Sequence, residues 1–168
     1  MATFDPTSLI NMMRSVSVDI SSNIITDIEF YLQNTKSNHN HVSFLVDDKR
    51  RNILSYSFNF FYKTKKFPFS IHAEINSITK YYKNTNLSKL KPKTILVVLK
   101  ITKTGVIGMS KPCFHCRIFL NNNFDNLNLN KIYYSNKDIL EQLYINELMD
   151  KESQHLSAGF KHCSRKSN

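Results

Sequence analysis

At 168 residues the chain is long enough for one globular domain with a real core and too short for two comfortable ones. Its three cysteines, at 113, 116 and 163, are odd in number and scattered, and the chain starts without an export signal; this argues against a disulfide scaffold and for metal binding or catalysis. The formal charge of +10 suits a phosphate-bearing partner, but the positive residues are spread along the chain and only folding can gather them. No apolar run approaches the roughly 20 residues of a membrane span, so a soluble, intracellular, cytoplasmic protein is expected.

After Asp5-Pro6, read as an N-cap and a first helical residue, Leu9, Met12, Met13 and Val16 recur at helical spacing. Ile20, Ile24, Ile28, Tyr31 and Leu32 repeat the pattern, which predicts one broken helix or two over 6–34. The polar stretch TKSNHNH at 35–41 leads to two β-rich runs, VSFLV and NILSYSFNFFY, separated by DDKRR and read together as a hairpin. KTKKFPF at 63–69 reads as an exposed loop. SIHAEINSITKYY then changes to helical period, with Ser70 as N-cap and Ile71, Ile75 and Ile78 on one face. TILVVLKI at 94–101 is apolar enough to be central in a sheet. A turn at Thr104-Gly105 leaves VIGM as a short strand, and Pro112 suits the first residue of a helix through Ile118–Leu120. The Asn-rich NNNFDNLNLN reads as a loop and KIYYS as a strand. ILEQLYINEL has helical spacing in Leu140, Tyr144 and Leu148, with a strand pairing back on 131–135 as the alternative. The order is that of an α/β domain, a single sheet layered with helices.

The chemistry concentrates in HAE at 72–74 and PCFHC at 112–116. Zinc takes thiolate and imidazole in a tetrahedral array, and a catalytic site keeps one position open for water. Cys113 and Cys116, three apart in a first helical turn, point the same way, and the positive end of the helix favours thiolate. His72 is the best third ligand, because the strand between the two helices would set their N-terminal ends side by side. Glu74 can approach a metal-activated water without itself being a ligand. The rival is a closed structural site, completed by His115 or by His162 and Cys163.

An H-x-E motif followed by P-C-x-x-C is the signature of zinc deaminases. HAE plus PCFHC resembles the cytidine deaminase superfamily, and the order of elements extends the resemblance over 40–148. HAEINSI is most similar to the deoxycytidylate deaminase branch, which favours an Asn at the position of Asn76. SKPC is similar to the serine-before-proline pattern of polynucleotide cytosine deaminases, which carry Trp where this chain has Lys111.

The resemblance implies a three-layer α/β/α cytidine-deaminase-like fold with a mixed sheet of about five strands. One deaminase domain would cover 1–150, with an N-terminal helical segment at 6–34 and a catalytic core at 40–148, followed by a basic tail at 151–168. His72, Cys113 and Cys116 would hold one Zn2+. Glu74 would carry protons from water to N3 and to the departing ammonia while C4 of cytosine is hydrolysed. Asn59 matches the place where family members hold the ribose or base edge, Ser110 lies in the loop that lines the base pocket, and the backbone of Ala73 would face the pyrimidine carbonyl. The implied substrate is a free pyrimidine nucleoside or nucleotide with dCMP-like preference. Cytosine in single-stranded DNA or RNA is the alternative, and a purine base a lesser one.

Phe61 stands where free-cytidine deaminases carry an acid that grips the ribose, Arg117 brings a charge that could meet a phosphate, and Phe67 and Phe69 are loop rings suited to stacking a base. No membrane partner is expected. A homo-oligomer is a further expectation, because relatives acting on free nucleotides commonly complete their sites across subunits.

Overall fold

Strand 94–101 sits where its composition requires, in the middle of a sheet covered on both faces. The computed structural model describes residues 4–63, 68–85 and 91–149. Helices α1 (Thr7–Ser15) and α2 (Ser22–Asn34) precede the hairpin of β1 (His41–Asp47) and β2 (Ile53–Phe58). A separate two-stranded pair follows, β3 (Phe60–Lys63) with β4 (Pro68–Ile71), and leads into α3 (Ala73–Asn84). Next come β5 (Thr94–Ile101), β6 (Ile107–Gly108), α4 (Phe114–Leu127), β7 (Leu129–Asn136), β8 (Ile139–Leu143) and a short 3-10 turn at Ile145–Glu147.

The main sheet runs β2-β1-β5-β7-β8, with β6 pairing β5, so it has six strands rather than about five. It is mixed: β5 and β7 are parallel and the other pairs antiparallel. Alternate residues of β5 feed two cores. Ile95, Val97, Leu99 and Ile101 join Leu9, Met13, Ile28 and Leu32 of α1 and α2, while Leu96 and Val98 join Ile78 of α3 and Leu120 of α4. A strand buried on both faces has no polar side to show, which is why TILVVLKI reads as a continuous apolar run. The three-layer α/β/α reading holds. No helix among the described residues is long and apolar enough to cross a membrane.

Several elements differ from their sequence reading. The helical pattern at 6–34 forms two helices, parted near Ser17, whose φ is 60°. Helix α1 starts at Thr7 with Pro6 rather than Asp5 as its N-cap, and Asp5, one residue further out, accepts hydrogen bonds from the backbone and hydroxyl of Thr7. The run at 52–62 breaks at Asn59 into β2 and β3, and the extended β4 displaces the start of α3, whose N-cap is His72 rather than Ser70. Helix α4 begins at Phe114, with Cys113 as N-cap and Pro112 outside it, and runs through the Asn-rich stretch to Leu127. Buried Leu120 and Leu127 give that stretch an apolar stripe, and Asn128, left-handed at φ 47°, ends it. ILEQL takes the alternative, strand β8, because Lys137 in the left-handed region makes a tight turn and Asn136 pairs with Ile139. The tail at 151–168 and the loop residues 64–67, including Phe67, lie outside the described residues; Phe69 falls in β4.

Gly105 joins the N-terminal segment to the turn between β5 and β6. Its φ is +89°, and a Cβ there would lie 2.0 Å from the carbonyl oxygen of Asp5. Gly105→Ala is expected to lower unfolding stability by about 1–3 kcal/mol, read as a shift of the urea midpoint. An unchanged midpoint would refute this role.

Candidate metal centre and active site

Both helices that meet at the end of β5 start with an unusual residue. His72 and Cys113 are the N-caps of α3 and α4, each with extended backbone, and neither side chain makes a capping hydrogen bond. An N-cap is ordinarily Ser, Thr, Asp or Asn bonding back to its own helix. Here the imidazole and thiol remain available to other partners, and Cys116 adds a second thiol one turn into α4.

The three side chains converge. Nδ1 of His72 lies 3.2 Å from Sγ of Cys116 and 3.3 Å from Sγ of Cys113, and all three ligand atoms are within 4.8 Å of one another. Both cysteines are buried and free of disulfides. Tetrahedral zinc, with Zn–N near 2.0 Å and Zn–S near 2.3 Å, sets N···S edges at roughly 3.5 Å. The donor set and its spacing therefore fit that ion.

Electrostatics agree. The Cys116 thiol donates to Cys113 and, with a further contribution from His72, holds the Cys113 thiol down to about 3 despite burial. Cys116, as the donor and buried, is pushed up. His72 is raised by its bond to Cys113, against the opposing effect of burial. The cluster is knit together by shared protons on ligands that release them to a cation.

Glu74 is buried in the first turn of α3, and burial raises its carboxyl above the usual range. Its carboxylate is within hydrogen-bond reach of Cys116 and electrostatic reach of His72, but it is not among the three mutually close donors. Among the described residues no fourth His, Cys, Asp or Glu joins that group. His115 is exposed, its ring edge-on to Phe114; residues 162 and 163 lie outside the described residues.

Three further residues singled out in the sequence fall at this end of the sheet, two of them with their side-chain polar groups already engaged. Oδ1 of Asn59 accepts from the His41 backbone at 2.7 Å and its Nδ2 donates to the His39 carbonyl at 3.0 Å, so the amide locks the start of β1. The Ser110 hydroxyl donates to the Val98 carbonyl at 2.6 Å and accepts from the Ser135 backbone at 2.8 Å, stitching the approach to α4 onto β5 and β7. Ala73, fully buried, is the first residue of α3, where backbone N–H groups have no partner within the helix. Arg117 is neither a solvated residue nor exposed to a phosphate: it is 0% exposed and donates to the carbonyl of Glu147.

Sequence reading missed the serines that seat α3. Ser55 donates to the Ser77 carbonyl at 2.8 Å, Ser43 and Ser77 hydroxyls are 3.0 Å apart, and Ser77 donates to the Glu74 carbonyl at 3.0 Å. Nothing in isolated serines signals this, because the partners are distant in sequence. Asn76, noticed only through resemblance, donates to the Phe58 carbonyl.

No protein-family model matches the sequence, and no curated protein matches it. Among solved structures, a cytidine deaminase from Burkholderia pseudomallei is similar in fold, with a TM-score of 0.50 over 79% of this chain and 98% of that one, at 13% identity. The fold is cytidine-deaminase-like. At that identity the likeness concerns architecture alone, and the chemistry rests on the residues described above.

Purified protein is expected to carry about one zinc per chain by elemental analysis. His72→Ala, Cys113→Ser and Cys116→Ser should each reduce this at least about tenfold, whereas Glu74→Gln should retain it. Full zinc occupancy in Cys113→Ser would exclude this donor set.

Proposed function

We propose that the protein is a zinc-dependent hydrolytic deaminase converting cytosine to uracil in a free nucleoside or nucleotide, with dCMP-like preference. The observation that carries the reading is the convergence of His72, Cys113 and Cys116 with Glu74 beside them and no fourth donor among the described residues. Three protein ligands are the complement of a catalytic rather than a closed zinc site.

Zinc bound there would supply Lewis acidity that brings the ionisation of water into the neutral range. The chain's own residues supply the rest. Glu74, buried and with a raised proton affinity, accepts a proton from water and returns it to N3 of the ring as oxygen bonds to C4. It then takes the remaining proton from the new C4 hydroxyl and passes it to the amine as the C4–N4 bond breaks and the C4 carbonyl forms, so that water and cytosine leave as uracil and ammonia. Burial keeps bulk water from competing for these protons. In this reading the backbone N–H of Ala73, in the first turn of α3, donates to the pyrimidine carbonyl. Asn59 and Ser110 act as positioning residues, since their side chains already hold the backbone around the site.

The second reading, cytosine in single-stranded nucleic acid, draws on the +10 charge and on the β3–β4 pair. That arm runs directly into His72, and its connecting residues include Lys65 and Lys66.

Zinc-loaded protein incubated with dCMP, cytidine, deoxycytidine and a cytosine oligonucleotide, with uracil read by mass spectrometry, tests both. Turnover of a monomeric substrate is expected, and Glu74→Gln should lower it by about 10²–10⁴-fold while zinc stays bound. Turnover of the oligonucleotide alone would move the protein to the second reading; turnover of no cytosine compound would overturn the first.

A further inference from the structure

Two side chains stand at the metal-centre end of the sheet, and the chemistry above uses neither. His41 opens β1, Lys100 lies near the end of β5, and they are direct antiparallel partners, so both side chains leave the sheet on one face. The pairs before them in the register identify that face. Leu45 opposite Leu96, and Val98 opposite Ser43, pack with α3 and α4, and Ser43 meets Ser77. Asn76, one residue nearer the start of α3, bonds to Phe58, which pairs with Val42. One step further along the strands brings His41 and Lys100 level with the start of α3, where His72 and Glu74 lie.

Both are held in place. The His41 backbone is fixed by Asn59, whose Oδ1 also accepts from the Tyr31 hydroxyl at 3.1 Å. The Lys100 backbone donates to the Ser135 hydroxyl at 3.2 Å, and its aliphatic stem lies across Gly108, where a Cβ would come within 3.2 Å of Lys100 Cδ. Neither is neutralised by a neighbour: among the described residues no carboxylate forms an ion pair with His41 or Lys100. The charged groups acting on His41 are themselves cationic. Burial first, then Lys100 and His72, and more weakly His39, push its imidazole down to about 4, with one ring N–H directed to the His39 carbonyl. A half-buried lysine held in no ion pair, beside an uncharged imidazole and the polar site, is a cation left for an anion to meet.

We propose that His41 and Lys100 form a phosphate subsite beside the metal centre, which selects a phosphorylated nucleoside over the uncharged one. The identity of the base rests on the deaminase reading; the anion preference does not. Lys100 supplies the charge, and the His41 ring, its N–H engaged by the His39 carbonyl, walls the side beside it. The phosphate is that of a free nucleotide or the one joining a target cytidine to its neighbour in a strand.

Calorimetric binding to zinc-loaded Glu74→Gln protein tests this without turnover, using dCMP, deoxycytidine, dAMP and a cytosine-containing trinucleotide. dCMP is expected to bind at least about tenfold tighter than deoxycytidine, as one charge-assisted contact provides. Lys100→Met should bring that ratio to within about twofold, and Lys100→Arg should restore most of it. Gly108→Val, which crowds the lysine stem without altering charge, should lower the ratio as well. Equal binding of dCMP and deoxycytidine overturns the subsite, as does a ratio unmoved in a folded Lys100→Met variant. Equal, Lys100-dependent binding of dAMP and dCMP keeps the subsite and overturns the cytosine reading. Tighter binding of the trinucleotide, also Lys100-dependent, keeps the subsite and assigns its phosphate to a strand.

Discussion

Buried serine hydroxyls stitch the two helices of the metal centre to the sheet, and the position of each candidate group follows. Apolar packing alone is non-directional and lets a helix slide along a sheet by a fraction of a turn. A hydroxyl in a dry interior must meet its partner within a few tenths of an ångström or remain unsatisfied. Ser77 bonds simultaneously with β1, β2 and the carbonyl of Glu74, and Ser110 bonds with β5 and β7. These bonds set the level at which α3 and α4 begin. With both starts fixed at one end of β5, His72 and Cys113 face each other as N-caps and Cys116 falls within reach.

The electrostatic pattern is layered. At the centre, two thiols, an imidazole and a carboxyl share protons in a space that burial makes inhospitable to isolated charge. A divalent cation suits that set because it replaces the protons and balances the charge at once. Around it the sign changes. His41 and Lys100 line the next step of the sheet without an acidic partner among the described residues, and in the proposed reaction they face the outer part of the substrate rather than the reacting ring. Arg117, by contrast, spends its charge internally, tying α4 to the turn that follows β8.

Residues whose partners lie nearby in sequence were legible from the chain. The periodicity of α1 and α2, the apolar run of β5 and the hairpin of β1 and β2 express local patterns, as do HAE and PCFHC. The Asn-rich stretch misled because asparagine is a turn former by local preference, while Leu120 and Leu127 find a core only after α4 packs on the sheet. ILEQL was ambiguous for a similar reason: its spacing suits either element, and the turn at Lys137 and pairing with β7 decide for a strand.

The sequence by itself determined the α/β class, the central strand and the residue types able to bind a metal, because each depends on composition and spacing within a short window. Only the tertiary structure decided that His72 is an N-cap, that Asn59 and Ser110 spend their polar atoms on the backbone, that Arg117 is buried, and that His41 stands beside Lys100. These are outcomes of pairing between segments tens of residues apart. Strand register and hydrogen-bond satisfaction settle them, and neither is written in any one segment.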